Sequence, residues 1–143
     1  MNETLLTPSL LALLGFGAWT LALQTGIAFH RAALVLSGQR RANSFTPWGN
    51  DVSPFSARLC RAHANCVENL PVVAALVVSA AVAGVSAITD PLALWLLAAR
   101  VCQSAVHLMS TSTRAVTLRF AFMAAQMGVL GFWVVELLLL LRK

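Results

Sequence analysis

Charged residues are scarce in this sequence, and tyrosine is missing altogether. Only 10% of the 143 residues are charged and only five are acidic, whereas 59% are hydrophobic and the mean hydropathy is +0.79. Soluble domains contain about 25% charged residues. A chain of this composition lacks the polar groups to cover a surface in water, and its length allows about one domain. We therefore predict an integral membrane protein.

Cysteine and histidine are also too few, or too dispersed, to suggest several kinds of site. Cys60, Cys66 and Cys102 form no CxxC pair, so we expect them to pack as small apolar residues. The three histidines show no spacing typical of a metal or haem site. The net charge of +5 comes almost entirely from arginines beside or within apolar runs, with no basic face interleaved with aromatic residues. We expect no metal and no nucleic-acid partner.

Four apolar runs are long enough to cross the hydrocarbon core of a bilayer, which takes about 20 residues in a helix. A polar segment with two prolines separates the first two runs and is typical of a loop. The predicted helices are about 10–36, 54–85, 91–109 and 113–141. The expected fold class is all-α, a four-helix integral membrane bundle in a single domain over residues 1–143.

Proline and small polar residues mark where two of these helices begin. Pro54 suits the first position of the second helix, and either Ser53 or Asp51 can cap it. Pro91 suits the first position of the third helix, with Asp90 as its cap.

Basic residues are concentrated in the first and third connections and at the helix starts that follow them. Basic connections normally face the cytoplasm, so both termini are expected outside and the plane of the membrane is crossed four times. Trp95 and Trp133 would then lie near the outer interface, where indole rings are common. Compact loops suggest a bacterial inner membrane. The basic residues concerned are Arg40, Arg41, Arg58, Arg61, Arg114 and Arg119.

One face of the second helix carries a polar group. Arg58, Arg61, Asn65 and Glu68 follow one another at spacings of three, four and three, which places them on one side of a helix. Arg100 of the third helix lies within about 7 to 10 Å of Glu68 in depth. Charges at bilayer depth need a partner or a watery cavity. This group is either a buried ion network that holds the helices together or a cleft for an anionic, peptide-like ligand. The excess of arginine over acid favours the cleft.

The segment 61–71, RAHANCVENLP, resembles the signature of the MAPEG family, the membrane-associated proteins of eicosanoid and glutathione metabolism. The resemblance extends to GQRR at 38–41, to Arg100-Val101 and to RAVT at 114–117. Length and four-helix topology agree. The chain looks most like a bacterial member related to the microsomal glutathione transferases.

That resemblance implies a homotrimer that binds glutathione, as co-substrate, between neighbouring subunits near the cytoplasmic face. It implies that Arg61, Asn65 and Glu68 of the second helix hold the tripeptide. It also implies that Arg41 and Arg114 meet the carboxylates or thiol of the tripeptide, and that Arg100 supports Glu68 from behind.

The chemistry implied by the family is activation of the glutathione thiol. A thiol has a reference pKa of about 8.5, and a nearby guanidinium favours its anion. By resemblance, Arg114 is the catalytic residue. The thiolate would attack a lipophilic electrophile or reduce a lipid hydroperoxide that arrives from the surrounding membrane lipid.

Several positions depart from the family pattern. Eicosanoid-type members have tyrosines at the positions of His107 and Leu118 and a histidine at the position of Gln103. The prostaglandin synthase has an arginine at the position of Ala64. His107 is a candidate hydrogen-bond donor to the thiol or a carboxylate, or alternatively a packed histidine of the bundle. These departures argue against a specialised eicosanoid synthase. They leave two functions open, a general glutathione transferase or peroxidase and a membrane scaffold without glutathione chemistry.

Overall fold

The computed structural model describes residues 6–140, which form four long α-helices, one short 3₁₀ helix and their connections, without β-strands. Each α-helix is long and apolar enough to cross a membrane. The predicted all-α class with four such helices is confirmed. The helices are α1 (Pro8–Leu36), α2 (Pro54–Val82), α3 (Asp90–Met109) and α4 (Thr113–Leu140), and the 3₁₀ helix is Ser86–Ile88.

Hydroxyl side chains cap three of the four helix starts. The Thr7 hydroxyl accepts a hydrogen bond from the backbone N–H of Leu10. Ser53 accepts one from the N–H of Ser56 at 3.1 Å, and α2 begins at Pro54 as predicted. At α4, the Ser112 hydroxyl accepts from the N–H of Ala115 at 3.3 Å. These bonds satisfy backbone donors that a helix cannot satisfy itself.

Asp90 has a different role from the predicted cap of α3. It is the first residue of α3, and its Oδ1 accepts hydrogen bonds from the backbone N–H of Ser9 at 3.0 Å and from the Ser9 hydroxyl at 2.6 Å. The Asp90 carboxylate thus stabilises the start of α1, where a negative charge is favourable. At the other end of α2, the helix stops at Val82, three residues before the predicted end, because Gly84 turns the chain with a φ of 70°. The predicted end of α4 at Leu141 lies outside the described residues.

The helices pack around a small core, and most large apolar side chains face outward. α1 packs against both α2 and α3, and α4 packs chiefly against α3. At Gly15 of α1 a Cβ would come within 2.6 Å of Leu97 Cδ2, so this glycine permits close contact with α3. Trp133 is 0% exposed within the core, whereas Trp95 is exposed, and the depth of both near the outer membrane interface stays a prediction. An apolar outer surface of this kind suits contact with lipid.

Candidate functional site

A cavity opens at the end of the bundle formed by the α1–α2 loop and the α3–α4 connection, and we call it the mouth cavity. Its volume is about 340 Å³. Of the residues that the structure describes, three arginines and one histidine contribute to its wall, and no acidic residue does. The lining residues are Pro54, Ala57, Arg58, Arg61, His107, Thr111, Val116 and Arg119.

A second cavity lies further from that end of the bundle, and we call it the deep cavity. Its volume is about 210 Å³, and it shares His107 and Arg119 with the mouth cavity. Asn65, one of its lining residues, follows Pro54 by 11 residues of helix, a rise of about 16 Å. The two cavities are therefore neighbours, and together they extend from the loop end towards the middle of α2. The deep cavity is lined by Asn65, Gln103, His107, Arg119, Phe120 and Met123.

Arg58 fixes the position of α2 at the mouth cavity. Its Nε donates a hydrogen bond to the backbone oxygen of Leu108 at 2.9 Å, and its guanidinium lies 6.0 Å from the centre of the Phe55 ring. Leu108 is in the last turn of α3, where backbone oxygens have no partner within the helix and a positive charge is favourable. Arg58 therefore connects the two helices that frame the mouth cavity.

His107 connects α2 and α3 where the two cavities meet. Its Nδ1 lies 3.5 Å from the side-chain nitrogen of Asn65. An amide nitrogen can only donate, so Nδ1 is the acceptor of this long hydrogen bond. The neutral imidazole then carries its proton on Nε2. This arrangement leaves an N–H donor on His107 in addition to the bond with Asn65.

Two buried glutamines join α3 to α4 beside the deep cavity. Gln126 Nε2 donates to Gln103 Oε1 at 3.0 Å and to the backbone oxygen of Phe122 at 2.9 Å. Gln103 Nε2 donates to the backbone oxygen of Arg119 at 3.2 Å. We call this arrangement the glutamine pair. It fixes the position of α4 along α3 at the level of Arg119.

The α1–α2 loop is held by its own polar contacts. Arg31 donates to the backbone oxygen of Thr46 at 2.7 Å, and its guanidinium lies 5.4 Å from the centre of the Phe45 ring. The Thr46 hydroxyl donates to Asp51, and this hydrogen bond is the main reason why the pKa of the Asp51 carboxyl is lowered. Arg40 lies 3.7 Å from the same carboxylate. The loop that covers the arginine-rich end is therefore ordered by local bonds.

Three of the residues predicted from the sequence meet at the cavities. Arg61 and His107 line the mouth cavity, and Asn65 and His107 line the deep cavity. Arg41 and Arg114 are exposed and line neither. In the single chain these two side chains therefore lie apart from the residues that meet.

Arg100 and Glu68 are not joined in the single chain. Arg100 is 2% exposed, its guanidinium lies 5.5 Å from the centre of the Phe16 ring, and Glu68 is exposed on α2. Within residues 6–140, one ion pair is closer than 4.0 Å, and it joins Arg40 and Asp51. Arg100 and Glu68 therefore do not form an ion pair in the single chain. The single chain thus shows no direct contact through which Arg100 could support Glu68.

Sequence reasoning missed two residues of this site, Arg119 and Gln103. The sequence analysis gives Arg119 a role only in the orientation of the chain, although an arginine six residues into the apolar α4 is a strong signal of function in a membrane protein. Gln103 was noted only as a replacement. Its pairing with Gln126 could not be read from the sequence, since 23 residues separate the two.

Comparison with known proteins gives one match. Residues 9–139 match the model of the MAPEG family. No curated protein and no solved structure matches the chain. The match covers all four apolar helices apart from the ends of α1 and α4. By this match and by its four membrane-spanning helices, the chain is a multi-pass membrane protein that belongs to the MAPEG family.

Proposed function

We propose that this protein is a membrane-bound, glutathione-dependent transferase or peroxidase, related to the microsomal glutathione transferases and acting as a homotrimer in a bacterial inner membrane. The observation that carries the proposal is the charge of the mouth cavity. Arg58, Arg61 and Arg119 contribute to its wall, and no acidic residue within 6–140 does. Because cations at such depth are costly, an anionic ligand is the natural partner for them.

Glutathione has the charges that this site needs. It carries two carboxylates and one ammonium group, and guanidinium groups bind carboxylates with paired, charge-assisted hydrogen bonds. In the proposal Arg61 and Asn65 hold the tripeptide, and the exposed carboxylate of Glu68 meets its ammonium group. Exposure of Glu68 in the single chain fits a ligand at a subunit boundary. Members of the family generally use glutathione, which supports the choice of co-substrate.

The proposed chemistry is formation and use of a thiolate. Arg114, with Arg41 from its own or a neighbouring subunit, favours loss of the thiol proton by placing positive charge beside the sulfur. In a transferase reaction the sulfur forms a bond to the electrophilic carbon and the leaving group departs with its electron pair. In a peroxidase reaction two glutathione molecules and one hydroperoxide give glutathione disulfide, an alcohol and water. The Nε2–H of His107 is a donor for the thiolate or for a carboxylate.

The proposed orientation has the arginine-rich end on the cytoplasmic side and both termini outside. Arg40, Arg41, Arg58 and Arg61 at this end support it through the usual preference of basic connections for the cytoplasm. Glutathione would then enter from the cytoplasm through the mouth cavity. The lipophilic substrate would enter from the bilayer.

Calorimetric titration with glutathione in lipid nanodiscs tests the proposal directly. We expect saturable binding, together with thiolate absorbance in the ultraviolet that grows as glutathione is added. Arg114→Ala should remove the thiolate absorbance while the oligomer stays intact, measured by light scattering. Absence of binding would instead favour a scaffold without glutathione chemistry, and a retained thiolate signal in Arg114→Ala would assign the role to Arg41 or His107.

A further inference from the structure

Trp48 is a large side chain to which neither the fold nor the proposed function gives a role. It lies in the α1–α2 loop, within the turn formed by residues 46–51, and it is 64% exposed. We call this segment the Trp48 turn. An indole ring combines an apolar body with an N–H donor, so it is suited neither to open water nor to pure hydrocarbon. An indole presented from a loop in this way indicates a contact outside the chain.

Hydrogen bonds hold the backbone of the Trp48 turn. The N–H of Gly49 donates to the backbone oxygen of Thr46 at 3.4 Å. The same oxygen accepts a hydrogen bond from Arg31 of α1 at 2.7 Å, and the Thr46 hydroxyl donates to Asp51. The turn is therefore closed between its first and last residues and attached to α1 by a charged side chain.

Gly49 packs the Trp48 turn directly against α2. It is buried, and its φ of 68° lies in the left-handed region that favours glycine. A Cβ at this position would come within 2.6 Å of the Ser56 hydroxyl, 2.9 Å of the Cys60 sulfur and 3.0 Å of the Ser56 carbonyl carbon. The backbone next to Trp48 is thus seated on α2 while the indole ring itself is exposed. The ring is therefore presented from a fixed support.

The lengths of α1 and α2 indicate the level at which this loop lies. Each has 29 residues, a rise of about 44 Å. A bilayer with its headgroups is about 40 to 45 Å thick, so the ends of these helices reach the headgroup region. Apolar side chains are exposed at both ends that the loop joins, Leu36 at 88% and Phe55 at 45%. The loop therefore lies where hydrocarbon gives way to headgroups, the level at which indole rings are common.

The loop also brings positive charge to this level. Residues 37–53 contain two arginines and one acid, Asp51. Arg40 lies 3.7 Å from Asp51, which is longer than a hydrogen bond, so the donors of its guanidinium are available for a phosphate. A basic segment beside a membrane attracts anionic headgroups. The proposed function uses Arg41 of this loop and gives Arg40 no role.

We propose that Trp48 and Arg40 form a surface that binds anionic phospholipid, with the indole ring among the headgroups and the guanidinium on a lipid phosphate. A second copy of the chain in the same membrane would bring its own arginine-rich end to this level. That end carries charge of the same sign, so the charge of the loop favours lipid as the partner. The inference does not depend on glutathione chemistry, and its test contains no glutathione.

Quenching of tryptophan fluorescence by brominated lipids tests the proposal. The protein is placed in nanodiscs of equal amounts of phosphatidylcholine and phosphatidylglycerol, and the acyl chains of one or the other lipid carry bromine. The emission of Trp48 is the difference between wild type and Trp48→Phe. We expect brominated phosphatidylglycerol to quench it about fivefold more strongly, the enrichment that one net basic charge produces near a membrane. The emission of Trp95, isolated through Trp95→Phe, is the matched control and should be quenched equally by both lipids.

Two pairs of variants separate the charge of the loop from its support. Arg40→Gln leaves residues 37–53 without net charge and should reduce the preference at Trp48 to less than about twofold, whereas Arg40→Lys should keep most of it. Gly49→Ala should displace the turn from α2 and weaken quenching of Trp48 by both lipids. Gly38→Ala is its control, because Gly38 has a similar φ of 71° but open space around its Cβ position, and should leave the quenching unchanged.

Three results would overturn the inference. Trp48 emission that neither lipid quenches, while Trp95 is quenched, would show that the ring is away from lipid, and a blue-shifted Trp48 emission in detergent would then assign it to a contact with a second copy. Equal quenching of Trp48 by both lipids, or a preference that Arg40→Gln leaves unchanged, would remove the anionic headgroup. Loss of the preference on addition of inorganic phosphate, but not of an equal ionic strength of sodium chloride, would identify a soluble anion as the ligand.

Discussion

The arginine-rich end of the bundle and the opposite end hold cavities of similar size but different chemistry. The mouth cavity has a volume of about 340 Å³, and a cavity of about 300 Å³ lies between the ends of α2 and α4. We call the latter the apolar-end cavity. Among residues 6–140, its lining contains one hydroxyl and no charge, and consists of Ser79, Ala83, Val85, Leu137 and Leu140. The mouth cavity and the apolar-end cavity therefore differ in the chemistry of the side chains that line them and not in volume.

The contrast arises largely within one helix. The first half of α2 carries Arg58, Arg61, Asn65 and Glu68, whereas its second half, 70–82, contains a single polar residue, Ser79. The same helix therefore supplies a charged wall at one end and an apolar wall at the other. An apolar wall in a membrane is no more attractive to a lipid chain than the bilayer itself. Only the charged wall offers a ligand something that the bilayer does not.

Of the changes to the charged cavity, removal of Arg61 should have the largest effect on ligand binding. We expect Arg61→Ala to weaken glutathione binding by roughly 10- to 100-fold, because it deletes a charge-assisted hydrogen bond to a carboxylate. Calorimetric titration gives the affinity. Leu137→Ala in the apolar-end cavity is the matched change and should leave the affinity within about twofold of wild type. Equal losses in both variants would show that general damage to the bundle, and not charge, lowers the affinity.

A smaller effect is expected from Glu68→Gln. This change removes the one acid on the polar face of α2, so the glutathione ammonium group loses its partner and affinity should fall roughly three- to tenfold. Because Glu68 is exposed and forms no ion pair within residues 6–140, the melting temperature should not change. A clear fall in melting temperature would instead mean that Glu68 neutralises the buried Arg100 in the assembled protein.

The glutamine pair can be tested through stability. Gln126→Leu leaves Gln103 without its side-chain partner and should lower the free energy of unfolding by about 0.6 to 1.7 kcal/mol, the range found for hydrogen bonds between membrane helices. Thermal unfolding in detergent measures it. Met127→Leu, an exposed apolar neighbour, serves as control. If both variants unfold alike, the bond between the two amides adds nothing to the packing of α3 on α4.

The smallest effect concerns the loop at the arginine-rich end. The pKa of Asp51 is lowered in the folded protein, chiefly by the hydrogen bond from Thr46, so its carboxylate stabilises the fold above the ordinary carboxyl pKa of about 3.9. That contribution is lost as the pH falls through the lowered folded pKa. Between about pH 6 and pH 3 the melting temperature of wild type should therefore fall slightly more than that of Asp51→Asn. An identical fall in both would exclude Asp51 from the acid sensitivity.

The sequence could predict what depends on neighbours along one helix. Pro54 with Ser53 marked the start of α2, and the spacing of Arg61 and Asn65 placed both on the face that borders the cavities. These features follow from helical periodicity and capping, which act over a few residues.

Contacts between distant helices could not be predicted in this way. Asp90 binds Ser9 of α1 instead of capping its own helix, because a partner far along the chain competes with the local role. Trp133 packs in the core, which its position within α4 does not determine. The recruitment of Arg119 to the cavities likewise depends on how α4 lies against α3, which periodicity within α4 does not determine.

The stacking of Arg100 on Phe16 bears on how the chain enters the membrane during synthesis. An arginine at the centre of a helix opposes insertion by about 2.5 to 3.5 kcal/mol, and α3, with 20 residues, is the shortest of the four helices. α1 is synthesised first and offers the aromatic ring over which the guanidinium comes to lie. The third segment is therefore expected to insert more readily once α1 already lies beside it, because the Phe16 ring offsets part of the cost of the guanidinium.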